Sequence, residues 1–307
     1  MNTLAGRDIL SMADFSAAEI HSLLELARLC KQGHAVGNAQ GRVLGLLFTK
    51  ASTRTRVSFT VAMMRLGGQV IDLNPGAIQM GRGEPIADTA RVLDRYLDVL
   101  AIRTFAQADV VAFAEWATMP VINALTDLEH PCQVLADLLT IQECFGALAG
   151  LKMAYLGDGN NVCHSLLLGC ALMGIHLTVA TPPEHGPDRA IWQQAQQLAG
   201  DGTRLVHTHD PEAAVRQAQV IYTDVWASMG QEAENAVRLP RFLPYQVNER
   251  LLALADPNAI VLHCLPAHRG EEITEAVLEG TQSRVWDQAE NRLHAQQALL
   301  AQVLGLV

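Results

Sequence analysis

The chain has 307 residues, more than one domain usually holds, and half of them are apolar, so we expect two domains with separate cores. The net charge of −10 argues against a surface that binds nucleic acid or an anionic membrane. No apolar run reaches membrane-spanning length and the N-terminus lacks a signal-peptide pattern, so we expect neither a membrane span nor a signal peptide.

The cysteines predict a reducing compartment. None of them forms a C-x-x-C pair, and several lie in apolar helical stretches, so we expect reduced thiols in a cytoplasmic protein and no structural zinc site. The six are Cys30, Cys132, Cys144, Cys163, Cys170 and Cys264.

Strand and helix patterns alternate along the first half. A capping box at 16–19 opens an amphipathic helix, and the apolar run at 43–48 predicts a buried strand that is followed by a helix at 57–66. Further strands are predicted at 70–73, 99–102 and 120–124, and further helices at 86–97, 108–117 and 130–144. The stretch 74–85 has no periodicity and predicts a loop, which carries Gln79.

The same alternation resumes after the glycines at 146–150. Strands are predicted at 153–156, 177–180, 205–207, 220–223 and 259–263, with a long charged loop at 227–245 and a last helix at 287–306. This β-α-β pattern predicts an α/β protein with two doubly wound parallel sheets. We place the domains at 1–146 and 147–287, with the helix at about 288–307 packing back on the first. Ligands of such sheets bind beyond the carboxyl ends of the strands, so we expect an active site in the cleft between the domains.

Hydroxyl and guanidinium side chains meet where the first strand passes into its helix. Ser52-Thr53-Arg54-Thr55-Arg56 occupies this position, where unpaired backbone N–H groups and the positive end of the helix dipole suit a phosphate. The alternative is an ordinary helix cap, in which Ser52 or Thr53 bonds the first turn and both arginines are solvated.

A glycine-containing turn in the second half suggests a dinucleotide site. Gly157-Asp158-Gly159-Asn160-Asn161-Val162 has the first two glycines of G-x-G-x-x-G, but Val162 stands where the third belongs. The pattern is weak even when complete, so we expect no organic cofactor.

Four short motifs together resemble one protein family. They are Ser52 to Arg56, His130-Pro131-Cys132-Gln133, Asp224-Val225-Trp226-Ala227-Ser228-Met229-Gly230 and His263-Cys264-Leu265-Pro266. Their order and spacing resemble the aspartate/ornithine carbamoyltransferases, over residues from about 46 to 299, and the last two motifs resemble its ornithine branch. Thr49 and Ala51 depart from the Glu and Pro that often precede the first motif, a change that bears on subunit contacts or loop rigidity.

The resemblance implies a site for carbamoyl phosphate. It assigns the phosphate to Ser52 to Thr55, Arg103 and Arg292. It assigns the carbonyl oxygen to Arg103 and His130, as catalytic residues. The resemblance implies that the carbamoyl amide contacts Gln133, Cys264 and the Leu265 carbonyl. Gln79 is implied to reach the phosphate from a neighbouring subunit, which predicts a homotrimer with shared sites. The full implied set is Ser52, Thr53, Arg54, Thr55, Gln79, Arg103, His130, Gln133, Cys264, Leu265 and Arg292.

The resemblance also implies a site for L-ornithine, and transfer of the carbamoyl group to it without a metal or organic cofactor. Asp224 is assigned to the α-ammonium and Asn161 to the α-carboxylate, with Ser228 and Met229 nearby. Cys264 is implied to lie by the δ-amine, as a catalytic residue. From chemistry alone, Cys264 also fits a small buried apolar residue or a nucleophile paired with His263, although adjacent strand residues point to opposite faces.

Other functions remain open at this point. Related carbamoyltransferases act on aspartate, N-acetylornithine or putrescine, but an Asp at 224 suits neither a second carboxylate nor a substrate without an α-ammonium. The doubly wound halves also fit a nicotinamide-dependent oxidoreductase, which titration with the dinucleotide would identify. A non-enzymatic binding protein is the third alternative, disfavoured by the donors that converge on one carbonyl.

Overall fold

The computed structural model describes residues 4–74, 76, 78–227 and 235–307, without the side chains of 81, 82 and 235–237. Its contacts divide the chain into two compact units. The first holds the residues up to Leu139 together with Glu290–Val307, and the second holds Thr140–Ala289. The divisions fall inside two helices, seven and two residues from the domain boundaries that we predict from the sequence.

The first unit is built on a parallel sheet with strand order β2-β1-β3-β4. Its strands are β1 (Val43–Phe48), β2 (Gln69–Leu73), β3 (Val99–Arg103) and β4 (Val121–Leu125). The helices that begin in this unit are α1 (Ala17–Lys31), α2 (Arg54–Arg65), α3 (Ile86–Leu93), α4 (Gln107–Trp116) and α5 (Pro131–Phe145). Every residue of the central strand β3 is buried, as expected for a parallel sheet, whereas the edge strand β2 is largely exposed. The other edge strand, β4, is also fully buried, and Ile9 forms a parallel bridge with its Ile122.

The second unit repeats this architecture with strand order β7-β6-β5-β8-β9, again parallel throughout. Its strands are β5 (Lys152–Leu156), β6 (His176–Ala180), β7 (Leu205–Thr208), β8 (Val220–Thr223) and β9 (Ile260–His263). The later helices are α6 (Asn161–Met173), α7 (Arg189–Leu198), α8 (Pro211–Val215), α9 (Asn235–Phe242), α10 (Glu249–Leu252), α11 (Glu275–Leu278) and α12 (Val285–Val303). The predicted fold class, two doubly wound parallel sheets, is confirmed.

Three details differ from the sequence-based expectations. The predicted loop at 74–85 contains a short 3-10 helix, Gln79–Arg82, and the predicted loop at 227–245 contains α9. The last helix begins at Val285 rather than near residue 287, so Arg292 lies two turns inside it. Among the described residues, no helix combines the length and apolar character that crossing a membrane requires.

Candidate active site

Helix α2 follows β1 at the connection where the sequence predicts either a phosphate site or an ordinary helix cap. Helix α2 begins at Arg54, and the side chain of its N-cap, Thr53, makes no capping hydrogen bond. The alternative of an ordinary cap at Thr53 is therefore wrong. Arg54 is exposed at the helix start, and Thr55 is buried in the first turn. An exposed guanidinium beside a helix N-terminus suits a bound phosphate.

A buried network joins this helix to α5 and α12 within the first unit. Arg292 donates from Nη1 to Gln133 Oε1 at 2.6 Å and from Nη2 to Thr55 Oγ1 at 3.1 Å. All three side chains are almost inaccessible to solvent. The structure thus brings together three of the predicted phosphate and amide ligands, although they come from sequence positions 237 and 159 residues apart.

His130 is surrounded by positive charge. Burial, and then the guanidinium charges of Arg292, Arg103 and Arg54, hold the pKa of this imidazole well below its usual value. His130 is therefore neutral at physiological pH and can donate one N–H without carrying a charge. Arg103 is buried at the C-terminal end of β3. Three guanidiniums near one neutral imidazole can bind an anion and polarise a carbonyl oxygen.

Two members of the predicted region lie apart from this network. Gln79 is exposed, and its side chain makes no hydrogen bond with the network in the part of the chain that the structure describes. Arg56 forms an ion pair with Asp72 and lies over the Phe48 ring at 5.1 Å. A neighbouring pocket of about 420 Å³ is lined by Phe48, Thr49, Lys50, Ala51, Arg56, Asp72, Asn74 and Gly76.

In the second unit, Asp224 follows β8 and is buried with both carboxylate oxygens engaged. Its Oδ2 accepts from Asn160 Nδ2 at 2.7 Å, and its Oδ1 accepts from Cys264 Sγ at 2.9 Å. Cys264 is only partly buried, so this thiol is not the fully buried apolar residue that the alternative predicts. A carboxylate beside a partly exposed thiol suits a cationic ligand or an amine that must lose a proton.

Asn160 is a site residue that the sequence analysis missed. Its Oδ1 caps α6 by accepting from the N–H groups of Val162 and Cys163, which leaves its Nδ2 directed at Asp224. Tyr155 OH also donates to that Oδ1, at 3.2 Å. An asparagine directly before an apolar helical run signals the cap, but the contact with Asp224 spans 64 residues and has no local signal.

His263 shapes the turn that contains Cys264 and Leu265. Its Nδ1 accepts from the Leu265 N–H at 2.9 Å, so Nε2 carries the proton and donates to Glu272 Oε1 at 3.0 Å. The side chains of His263 and Glu272 are fully buried. His263 and Cys264 therefore contact different partners, and the interpretation of Cys264 as a nucleophile paired with His263 is wrong.

The two glycines of the Gly157–Val162 stretch have structural causes. A Cβ on Gly159 would lie 2.3 Å from the Gly186 carbonyl carbon and the Pro187 nitrogen, so two backbones approach too closely for any side chain. Gly157 has a φ of 133°, a conformation that favours glycine. Backbone packing within the second unit accounts for both positions.

Potential metal ligands also gather near Cys264. One ligand atom each of Asp224, His263 and Cys264 lies within 4.8 Å of the others, and His268, Glu271 and Glu272 form a second such group in the described residues. Both ring nitrogens of His263 already have hydrogen-bond partners, so the first group is explained by internal contacts. Asn161 is partly exposed as the first residue of α6. Ser228 and Met229 lie outside the described residues.

Comparison with known families covers nearly the whole chain. Residues 7–143 match the model of the carbamoyl-P binding domain of aspartate/ornithine carbamoyltransferase, and residues 149–303 match the model of its Asp/Orn binding domain. The first match lies mostly in the first structural unit, and the second covers most of the second unit together with residues 290–303 of the first.

Individual relatives extend the similarity. The chain is 65% identical over 305 residues to an ornithine carbamoyltransferase of Nostoc punctiforme, covering 99% of both chains. It is also 65% identical to one from Thermosynechococcus vestitus, over 99% of this chain and 98% of the other. The solved ornithine carbamoyltransferase of Pyrococcus furiosus is 50% identical, with a TM-score of 0.95 and 99% coverage of each chain. That of Gloeobacter violaceus is 58% identical, with a TM-score of 0.89, over 97% of this chain and 98% of the other.

Proposed function

Because the chain belongs to the aspartate/ornithine carbamoyltransferase family, we propose that it transfers the carbamoyl group of carbamoyl phosphate to the δ-amine of L-ornithine. The products are L-citrulline and phosphate. The observation that carries the choice of ornithine is the buried Asp224 carboxylate, held by Asn160 and next to the Cys264 thiol. An anionic group at this place suits the ammonium of ornithine and opposes the second carboxylate of aspartate.

In this proposal the first unit binds carbamoyl phosphate. The phosphate lies at the start of α2, where Ser52, Thr53, Arg54 and Thr55 contact it, and Arg103 and Arg292 complete its charge neutralisation. The arrangement in which Arg292 contacts both Thr55 and Gln133 supports this assignment. Gln133 and the Leu265 carbonyl then accept hydrogen bonds from the carbamoyl NH₂, and Cys264 lies beside it.

The second unit binds ornithine in the same proposal. Asp224 pairs with the α-ammonium, Asn161 contacts the α-carboxylate, and Cys264 lies by the δ-amine. Ser228 and Met229 complete this set, outside the described residues. The hydrogen bond that the Leu265 N–H donates to His263 Nδ1 supports a fixed position for the turn that carries Cys264 and Leu265.

The reaction then needs no covalent intermediate with the protein. The neutral δ-amine attacks the carbamoyl carbon, a C–N bond forms, the C–O bond to phosphate breaks, and the amine proton passes to the departing phosphate. Negative charge develops on the carbonyl oxygen, where the Arg103 guanidinium and the neutral His130 imidazole donate. The phosphate leaves with the electron pair of the broken bond and is stabilised by the guanidiniums. Positioning and electrostatics supply the rate enhancement.

We further propose a cytoplasmic homotrimer that works in arginine biosynthesis. The free thiol state of all six cysteines supports a reducing compartment. Exposed apolar side chains of the first unit support self-association, because Met64, Ile71 and Tyr96 are 64%, 46% and 69% exposed in the single chain. Gln79 is the group that we assign to a neighbouring subunit's site.

The deciding experiment measures phosphate release from carbamoyl phosphate with a panel of amines, and identifies citrulline as the product with L-ornithine. We expect product with L-ornithine and, at equal concentrations, at least about a hundredfold lower kcat/KM with aspartate, N-acetylornithine or putrescine, since each loses or opposes a charge-assisted contact. Asp224→Asn should lower kcat/KM for ornithine by a larger factor than it lowers the affinity for carbamoyl phosphate. A faster reaction with another amine, or no citrulline at all, would overturn the proposal.

A further inference from the structure

A buried carboxylate that the proposed mechanism does not use lies one turn beyond Gln133. Asp137 is fully buried on α5, and its Oδ1 accepts a hydrogen bond of 2.8 Å from Gln133 Nε2. Burying a carboxylate is costly even when it is hydrogen bonded, whereas an apolar residue at the same place would pack at little cost. The acid at this position therefore needs a reason other than stability.

The side-chain amide of Gln133 lies between two groups with fixed hydrogen-bonding character. An ionised carboxylate only accepts, and a guanidinium only donates. With Nε2 facing Asp137 and Oε1 facing Arg292 Nη1 at 2.6 Å, both bonds form. A flipped amide would oppose donor to donor and acceptor to acceptor. The two neighbours therefore permit one orientation, in which the carbonyl oxygen faces Arg292.

We propose that Asp137 is a positioning residue that fixes the Gln133 carbonyl as an acceptor for the NH₂ of a carbamoyl group. The site thereby prefers carbamoyl phosphate to acyl phosphates that carry a methyl group in that place. A carbonyl oxygen has two lone pairs, and the bond from Arg292 uses one of them. This inference rests on the proposed function, which places carbamoyl phosphate at Gln133.

The test compares three probes by calorimetry on the full chain: fresh carbamoyl phosphate, acetyl phosphate and inorganic phosphate. The variant is Asp137→Asn, which keeps the volume but can turn either its oxygen or its nitrogen toward Gln133. We expect it to weaken carbamoyl phosphate binding roughly tenfold, the value of about one hydrogen bond, and to shrink the preference over acetyl phosphate equally. Inorganic phosphate affinity should stay within about twofold, because the phosphate contacts are not involved.

Two further variants test whether Asp137 acts through Gln133 and control for the loss of a carboxylate elsewhere. Gln133→Leu removes the acceptor itself, so adding Asp137→Asn to it should cause no further loss of preference, which is the non-additivity expected when one residue acts through another. The matched control is Asp94→Asn, whose carboxylate accepts from the N–H groups of Thr118 and Met119 elsewhere in the first unit. It should leave all three affinities and their ratios unchanged.

The outcomes distinguish failure of the role proposed for Asp137 from failure of the proposed function. If Asp137→Asn weakens all three ligands alike, or leaves the preference for carbamoyl phosphate intact, the positioning role is overturned while the proposed function stands. If the wild-type chain binds carbamoyl phosphate no better than acetyl phosphate and forms no citrulline, both are overturned. If Asp137→Asn further reduced the preference for carbamoyl phosphate in the Gln133→Leu variant, Asp137 would not act through Gln133.

Discussion

His130 shows how burial sets the charge state of a single residue. It is nearly inaccessible to solvent, and burial together with three neighbouring guanidiniums lowers its pKa far enough that it is neutral in the folded state. A neutral imidazole avoids repulsion with the guanidiniums and still offers an N–H to a developing oxyanion. The same environment lowers the stability of the fold at acidic pH, because His130 binds a proton more readily in the unfolded chain than in the folded chain.

The sign of that cost follows from the two pKa values. The unfolded imidazole titrates near 6.5, and the folded one titrates lower, so below about pH 6.5 the unfolded state binds more protons and stability falls as the pH falls. When the pH falls from 7.5 to 5.5, the free energy of unfolding should decrease in both proteins. We expect the decrease to be about 1 kcal/mol smaller in His130→Gln than in the wild type. Urea titrations at both pH values measure the difference.

The control for this prediction is His21→Gln, since His21 is exposed on α1. It should show the pH dependence of the wild type. An equal loss of stability on acidification in His130→Gln and the wild type would show that His130 does not remain neutral in the fold.

At the scale of elements, the sequence predicts the strands better than it predicts the contacts between side chains that follow them. Apolar runs such as those of β3 and β9 are explained by burial on both faces of a parallel sheet, and such runs are visible in one dimension. Because ligands bind beyond the carboxyl ends of such strands, the positions of Arg103, Asp224 and Cys264 were also predictable.

Most of the remaining features depend on contacts that no local sequence pattern reveals. Asn160 approaches Asp224, Glu272 bonds to His263, and Asp137 orients Gln133, and only the last pair has a spacing that a helix would reveal. Helix α9 was missed because Pro240 lies inside it, and a proline usually interrupts a helix. The place of Arg292 inside α12 likewise required the position of the helix start.

The turn before α6 offers a test at this scale. A Cβ at Gly159 would meet the backbone of Gly186 and Pro187, so we expect Gly159→Ala to force the turn outward and destabilise the second unit by about 1–3 kcal/mol. Because Asn160 and Asn161 follow directly, ornithine affinity should also fall. Thermal unfolding and ornithine titration with saturating carbamoyl phosphate measure both effects.

Gly200→Ala is the matched control, since a Cβ there meets no atom within 4 Å. It should be neutral or slightly stabilising, because alanine reduces the freedom of the unfolded chain. If Gly159→Ala matched this control in stability and in ornithine affinity, the close approach of the two backbones would not constrain the turn.

At the scale of the whole molecule, a net charge of −10 would repel an anionic substrate unless positive charge were concentrated locally. Arg54, Arg103 and Arg292 provide this concentration around His130 in the first unit. Gln79, which we assign to the phosphate, is exposed and makes no hydrogen bond with this network in the described part of the chain. A second copy of the chain that supplies Gln79 would complete the site.

Subunit mixing tests this sharing. Gln79→Ala and Arg103→Ala should each be nearly inactive alone, because each lacks one contact with the phosphate. In randomly mixed trimers, about one site in four combines an intact Arg103 with an intact Gln79 from the neighbour, so activity should recover to about a quarter of wild type. Citrulline formation before and after subunit exchange, with exchange verified by native mass spectrometry, gives the measurement.

The control mixes Arg103→Ala with Arg292→Ala. Both residues belong to the network of one chain, since both guanidiniums influence the same His130, so no mixed trimer contains a complete site and no activity should return. Recovery in this control would mean that exchange itself restores activity, for example by rescuing a misfolded variant. Failure of recovery in the Gln79→Ala and Arg103→Ala mixture, with exchange complete, would place every phosphate ligand within one chain and remove the reason for assigning Gln79 to a neighbour.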